Sequence, residues 1–470
     1  MLKAKNTLVL IVLLSLLGLA AFFFYPNDKS ATHPWQPENL QSQKFWYQIN
    51  WQNQAVGWAS LSLEKNRDHF AVTEEDFITG RVQSQRMEFS FKRELVFSSK
   101  SPYQLSQITI TSKEPYLSVE KQINNGKQLS AIETRNGKAT ELLAPTINYT
   151  LEDYLTKYSW LQRKNTKPTQ IVKEFNNDDY GLHYSRYELM GTAPNSNNVY
   201  RVKHQLQNSA DINDSYQSQA SLLEFSQEGY LLKETKANGM IYIKSDGKVT
   251  INPEMQRDLY LASGIAVDQA LGKTQQIKGL ELLITPALKL SNAHPALNIE
   301  NNRLRLKRGY EYPGQRSTIE AAHPRAGALA QSLIKSSQTI NEKVESLVSH
   351  VHNRLTYKTL PASFEIDDIL DNGIGDCTEH ALLLTEMLNA IDIPARQVSG
   401  LIYLGDEKQR FGGHVWVEFF NDGYWQAIDP TWNLTNVSAT HIPLMLGANK
   451  TPELLLKATE IEFKVIDVQR

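Results

Sequence analysis

The sequence predicts an α+β protein, on three observations. Period-two alternation recurs through residues 45–250, an apolar helix of the buried type follows Cys377, and an apolar stretch flanked by lysines opens the chain. The expected fold is therefore a β-rich antiparallel domain and a C-terminal mixed domain behind an N-terminal transmembrane helix. The expected divisions are a transmembrane anchor at 1–25, a linker at 26–44, a β-rich domain at 45–250, a transitional helix and strand segment at 251–311, and a C-terminal domain at 312–470.

The anchor rests on residues 7–25, where Thr7 and Ser15 are the only polar side chains. That span approaches the ~20 residues a helix needs to cross a hydrocarbon core. Gly18 and Ala20 sit like the small residues before a signal cleavage site, but the apolar run continues through Phe22, Phe23, Phe24 and Tyr25. An uncleaved anchor is therefore the favoured reading over a removed signal peptide. Lys3 and Lys5 precede the span and no lysine follows it directly. This puts the N-terminus in the cytoplasm and the body in a periplasm or outside the cell, so the expected location is the inner or plasma membrane, crossed once.

Behind the anchor, 41% hydrophobic and 21% charged residues among 470 describe a globular body with room for two or three domains. The net charge of −2 and the lack of a basic stripe give no footprint for nucleic acid as a partner. A single cysteine excludes an intramolecular disulfide. In an exported chain a lone thiol is exposed to oxidation, which makes its retention informative.

Pro26, Pro34 and Pro37 punctuate the linker. Then Phe45, Tyr47, Ile49 and Trp51 alternate with polar residues, as do Ala59, Leu61 and Leu63, and Met87, Phe89 and Phe91. Asn125-Gly126, Asn136-Gly137, Glu228-Gly229 and Asp246-Gly247 read as hairpin turns. One helix interrupts, capped by Thr150, with Leu151, Tyr154, Leu155 and Tyr158 on one face. His69, His183 and His204 lack ligand spacing. The β-rich domain offers a surface for a protein partner or a spacer from the membrane. The transitional segment reads as a helix over Glu254–Leu271 followed by strands near 280–284 and 303–308.

In the last domain Val344, Leu347, Val348, Val351 and Leu355 fall at helical spacing. His350 and His352, two apart on that helix, point to different sides and do not make a metal pair. Asn372-Gly373 stops an acidic helix, and Gly375 allows a tight bend before Cys377. The next helix is apolar nearly all round, with Ala381, Leu382, Leu383, Leu384, Met387, Leu388 and Ile391. Cys377, the candidate nucleophile, stands at its N-terminus, where unpaired N–H groups and the helix dipole favour thiolate and offer donors to an oxyanion.

His414, Trp416, Glu418 and Phe420 then alternate along a strand, and Asp422-Gly423 turns the chain back through Tyr424 to Asp429. A two-residue hairpin sets Trp416 opposite Asp429 and makes His414 its diagonal neighbour on the same face, within side-chain reach. Cys377, His414 and Asp429 thus follow the order a thiol triad uses. Trp416, Trp425 and Trp432 either line a groove for the acyl group or pack in the core.

The run from Ile366 to Trp432, with Gly-Asp-Cys-Thr-Glu-His-Ala, Ile-Pro-Ala-Arg, Gly-His-Val-Trp-Val-Glu and Tyr-Trp-Gln-Ala-Ile-Asp-Pro-Thr in succession, resembles the core of the transglutaminase-like superfamily. The resemblance covers about the last third of the chain. It implies a papain-like domain in which Cys377 is the nucleophile, His414 the general base and acid, and Asp429 the group that orients it. It also implies acyl transfer from an amide, through a thioester, to an amine or water. Without an evident calcium loop, calcium dependence does not carry over, and no cofactor or metal is expected.

The reading is a membrane-anchored cysteine acyltransferase or hydrolase acting on amide bonds of proteins or peptides. A peptide-binding module without turnover is the alternative, and a peptidoglycan-directed peptidase is suggested by location alone.

Overall fold

The computed structural model describes residues 34–470 except 52, 83–84, 126–128, 144–145, 163–166, 177–180, 195, 208, 212–219, 237–238, 252–257, 288–293, 320, 360–363, 448–453, 455–457 and 459. Strands take 51% of the structure and helices 17%, so the α+β expectation is corrected to a mostly β protein. The sequence reading gave the C-terminal helices the weight of a fold class. In fact they cover a sheet of ten strands, so sheet dominates both halves. The expected transmembrane helix at 1–25 lies outside the described residues. Among the described residues no helix is long and apolar enough to cross a membrane, so that part of the fold class has no support.

The chain packs as two compact units, residues 34–80 with 86–256 and residues 81–85 with 257–470. The first is a fourteen-stranded antiparallel sheet with an ordered path. From Gln43–Trp51 the chain meanders outward to an edge at Lys138–Glu141. After helix α1 (Leu151–Ser159) it restarts at the other edge with Thr169–Phe175 and meanders inward to Met240–Ser245, which pairs with Gln43–Trp51. Alternation builds this sheet: Phe45, Tyr47, Ile49 and Trp51 are all buried, and their neighbours are not. Helix α1 starts at a capping box in which Thr150 and Asp153 bond each other's backbone. Its Tyr154 hydroxyl donates to Glu74 at 2.8 Å, and Arg93 donates both to Glu74 and, at 3.3 Å, to the Phe175 carbonyl. Arg93 and Phe175 belong to strands separated by eight others in the sheet, so the sheet curls until those two strands face one another.

Among the described residues the second unit holds the ten-stranded sheet and five α-helices: α2 (Leu259–Ala262), α3 (Pro324–Leu333), α4 (Ile340–Arg354), α5 (Ile366–Asn372) and α6 (Cys377–Ala390). The helix expected over Glu254–Leu271 is, where described, only α2 followed by the strand Ile265–Val267. Gly264 and the β-branched residues after it end the helix. The strands Gly279–Thr285 and Arg303–Lys307 pair with each other, and the first also pairs with Glu462–Gln469. α6 is the hub of the helical layer. It packs on α3, α4 and α5 and on the strands Ala395–Tyr403 and Arg410–Asn421, with Leu383, Leu384, Met387 and Leu388 fully buried. This buried seat fixes its N-terminus against the strand that carries His414.

Candidate active site

Two local signals set the position of Cys377. Gly373 at φ 62° is the left-handed stop of α5, as Asn372-Gly373 predicts. Gly375 is needed for close approach rather than for a bend, because a Cβ there would meet Glu379 Cβ at 2.6 Å. Asp376 then caps α6. Its carboxylate takes the Thr378 amide at 2.8 Å, and Glu379 returns the bond by accepting the Asp376 amide at 2.9 Å.

This cap overturns part of the electrostatic expectation for Cys377. Burial pushes the thiol well above its ordinary value and the adjacent Asp376 carboxylate adds to the rise, against a bond from the Val415 backbone that lowers it. The positive end of α6 is already answered by Asp376, so little of it reaches sulfur. The amides of Thr378 and Glu379, which the sequence offers to an oxyanion, are engaged by Asp376 as well. Glu379 is buried beside that carboxylate, and burial and Asp376 together hold its own carboxyl well above the usual range. His380 Nδ1 donates to the Asp376 carbonyl at 2.7 Å, and burial keeps its pKa low.

His414 and Asp429 meet through the hairpin the Asp422-Gly423 turn predicts. Asn421 pairs with Tyr424 and Val417 with Ile428, and the imidazole Nε2 lies 2.9 Å from Asp429 Oδ2. That contact engages Nε2, so Nδ1 is the ring nitrogen turned away from Asp429. The Val415 backbone that bonds the Cys377 thiol is the next residue along, so the strand that carries His414 also holds the thiol at the start of α6. Although burial raises the Asp429 carboxyl, His414 and His441 hold it well below the usual carboxylate range. Its second oxygen accepts the Thr431 amide at 2.8 Å.

Two neighbours, His441 and Tyr260, escaped the sequence reading. His441 Nε2 lies 3.2 Å from the same Oδ2 as His414, and it comes from a loop with no period or motif. Tyr260 of α2 donates to the Gly413 carbonyl at 2.8 Å, and burial and the nearby Cys377 push its hydroxyl up. A Cβ on Gly412 would meet that hydroxyl at 2.8 Å, so the Gly412-Gly413 pair lets Tyr260 approach. Trp432 stacks on His414, whereas Trp416 and Trp425 are core. His352 of α4 reaches the Thr431 carbonyl at 3.1 Å, and His350 takes no part.

The nitrogens of His414 and His441 and the Asp429 carboxylate lie within 4.8 Å of one another, a closeness that metal sites also have. Here both rings are already on one carboxylate oxygen, which is the pattern of hydrogen-bonded imidazoles.

The comparison with curated proteins found no match. Among solved structures, one described as a "Putative Cysteine Protease from Cytophaga hutchinsonii" aligns at a TM-score of 0.23 and 15% identity, covering 43% of this chain and 84% of that one. Another, a "putative protease from Parabacteroides distasonis ATCC 8503", aligns at a TM-score of 0.20 and 14% identity, covering 79% of this chain and 68% of that one. The profile of the transglutaminase-like superfamily matches residues 327–430, a span that holds Cys377, His414 and Asp429, so this chain carries a transglutaminase-like domain.

Proposed function

We propose that the protein is a cysteine acyltransferase or hydrolase that acts on amide bonds of proteins or peptides through a thioester. The observation that supports this most is the 2.9 Å contact of His414 with Asp429 on the strand whose next backbone group bonds Cys377. A neutral thiol suits this reading, because an adjacent base can take its proton as sulfur attacks.

In the proposed sequence Nδ1 of His414 takes the thiol proton while Sγ bonds the amide carbon. The backbone N–H of Cys377, first in α6 and without an intrahelical acceptor, donates to the developing oxyanion. His414 passes its proton to the leaving nitrogen, the C–N bond breaks, and an acyl thioester remains. Water or a primary amine then attacks that carbonyl with His414 again as base. The thiol leaves with the proton, giving an acid or a new amide. Asp429 holds the imidazole and stabilises its charged form throughout.

The test compares parent, Cys377→Ala, His414→Ala and Asp429→Asn on glutamine-containing and cell-wall peptides, with and without added amine. Mass spectrometry reads loss of ammonia, amine incorporation and chain cleavage. Cys377→Ala and His414→Ala should abolish turnover, and Asp429→Asn should lower it by about four orders of magnitude. Peptide binding with no turnover by the parent, unchanged in Cys377→Ala, would replace this reading with a binding module.

A further inference from the structure

Asp429 is held by two imidazoles, and only one of them can serve the thiol. Both Nε2 atoms contact the same oxygen, His414 at 2.9 Å and His441 at 3.2 Å, while Oδ1 takes the Thr431 amide. An ionised carboxylate only accepts, so each ring presents a protonated Nε2 to it. For His441 the other nitrogen is also engaged. Its Nδ1 lies 3.1 Å from Ser438 Oγ, which lies 2.7 Å from Thr440 Oγ1. With Thr440 donating to Ser438 and Ser438 to Nδ1, every group is satisfied by a neutral ring with its proton on Nε2.

Packing fixes that ring in place. His441 is 1% exposed and stands edge-on to Trp416, with centroids 5.3 Å apart and planes at 87°. Burial also lowers its pKa, in keeping with the neutral form. An apolar residue would fill this space equally well, so what histidine adds here is a donor on Asp429. We propose that His441 is a positioning residue, which clamps the Asp429 carboxylate for His414 and draws part of its charge onto a second ring. This rests on the assignment of Cys377, His414 and Asp429 given above.

The sign of its effect follows from charge. A second donor on Oδ2 weakens the hold of Asp429 on protonated His414, so removing it strengthens that hold and raises the pH at which His414 loses its proton. The other groups near the site are Asp376, Cys377, Glu379 and His380 on α6, His352 on α4 and Tyr260 on α2. All of them are unchanged in a His441 variant, so the comparison isolates the one donor.

His441→Phe keeps a ring and loses the donor, whereas His441→Gln keeps an N–H. In the full-length protein His441→Phe should move the acid limb of kcat/KM upward by about 0.5–1 pH unit and lower its plateau by roughly tenfold. His441→Gln should stay within about threefold of the parent, because its amide restores the bond. Nitrogen NMR of the histidines in the Cys377→Ala protein provides a readout free of turnover. It should report His441 neutral with its proton on Nε2 near pH 7, and His441→Phe should shift the His414 titration by the same amount as the acid limb. Loss of turnover by the parent with this NMR pattern intact would reject the catalytic reading alone. A His441 protonated on Nδ1, or a His414 titration unmoved by His441→Phe, overturns the clamp, and the first of these needs no substitution at 441.

Discussion

Trp432 lies flat on the His414 imidazole, ring centroids 4.8 Å apart and planes 12° from parallel, with 45% of its own surface open to solvent. A large aromatic left that exposed adds little to folding, yet it screens one face of the His414 ring from water. Trp432→Ala should therefore lower turnover by about tenfold, with a change in stability under about 1 kcal/mol. Trp416→Ala, by contrast, removes a fully buried ring and should cost about 3–5 kcal/mol. Steady-state kinetics beside urea melts separate the two, and equal stability losses would contradict this division.

The alkylation of Cys377 by iodoacetamide should follow a thiol raised by burial and by Asp376. Its rate should climb on the alkaline side of the ~8.5 of a free cysteine rather than level off below it. Asp376→Asn takes away the like charge and should move the curve to lower pH. Asparagine caps a helix about as well as aspartate, so stability should change little. A curve for the parent that levels off near pH 6 would show instead that the helix dipole outweighs burial.

Glu379 carries the opposite pH signature to a carboxylate that its partners hold low, such as Asp429. Burial and Asp376 raise its carboxyl in the fold, so the native state keeps a proton that the unfolded chain releases near ~4.3. The stability it contributes is complete below that value and is lost as the pH rises through the folded one. Glu379→Gln is neutral at every pH and keeps an acceptor for the Asp376 amide. Urea midpoints of parent and variant should coincide near pH 4 and separate in favour of the variant as the pH rises. A variant less stable than the parent at pH 8 would mean that Glu379 acts as a charged cap.

What the sequence disclosed and what it hid divide along physical lines. His414 and Asp429 were legible because a two-residue turn fixes strand register, and register fixes which side chains share a face. The α6 cap went unread although Asp376 and Glu379 stand three apart, and so did its effect on the thiol. That depends on how deeply the cap is buried. His441 arrives from a loop without periodicity and Tyr260 from a single turn of helix, both by long-range packing that nothing local predicts. The fold class went astray for a related reason. The helices announced themselves by a strong apolar pattern, whereas short strands such as Ile265–Val267 and Asn298–Glu300 are recognisable only through the partners they find.

The seam between Gln43–Trp51 and Met240–Ser245 sets an order on synthesis. Trp51 pairs with Met240, so the middle of the sheet is sealed by two segments that leave the ribosome at opposite ends of the unit's production. The outward meander emerges first with one face and one flank unmatched, and it must stay soluble until the returning strands arrive. Such long-range closure makes folding slow and leaves open strand edges exposed to neighbouring chains in the interval. A nascent chain stalled before residue 240 should thus need chaperone protection that the finished unit does not.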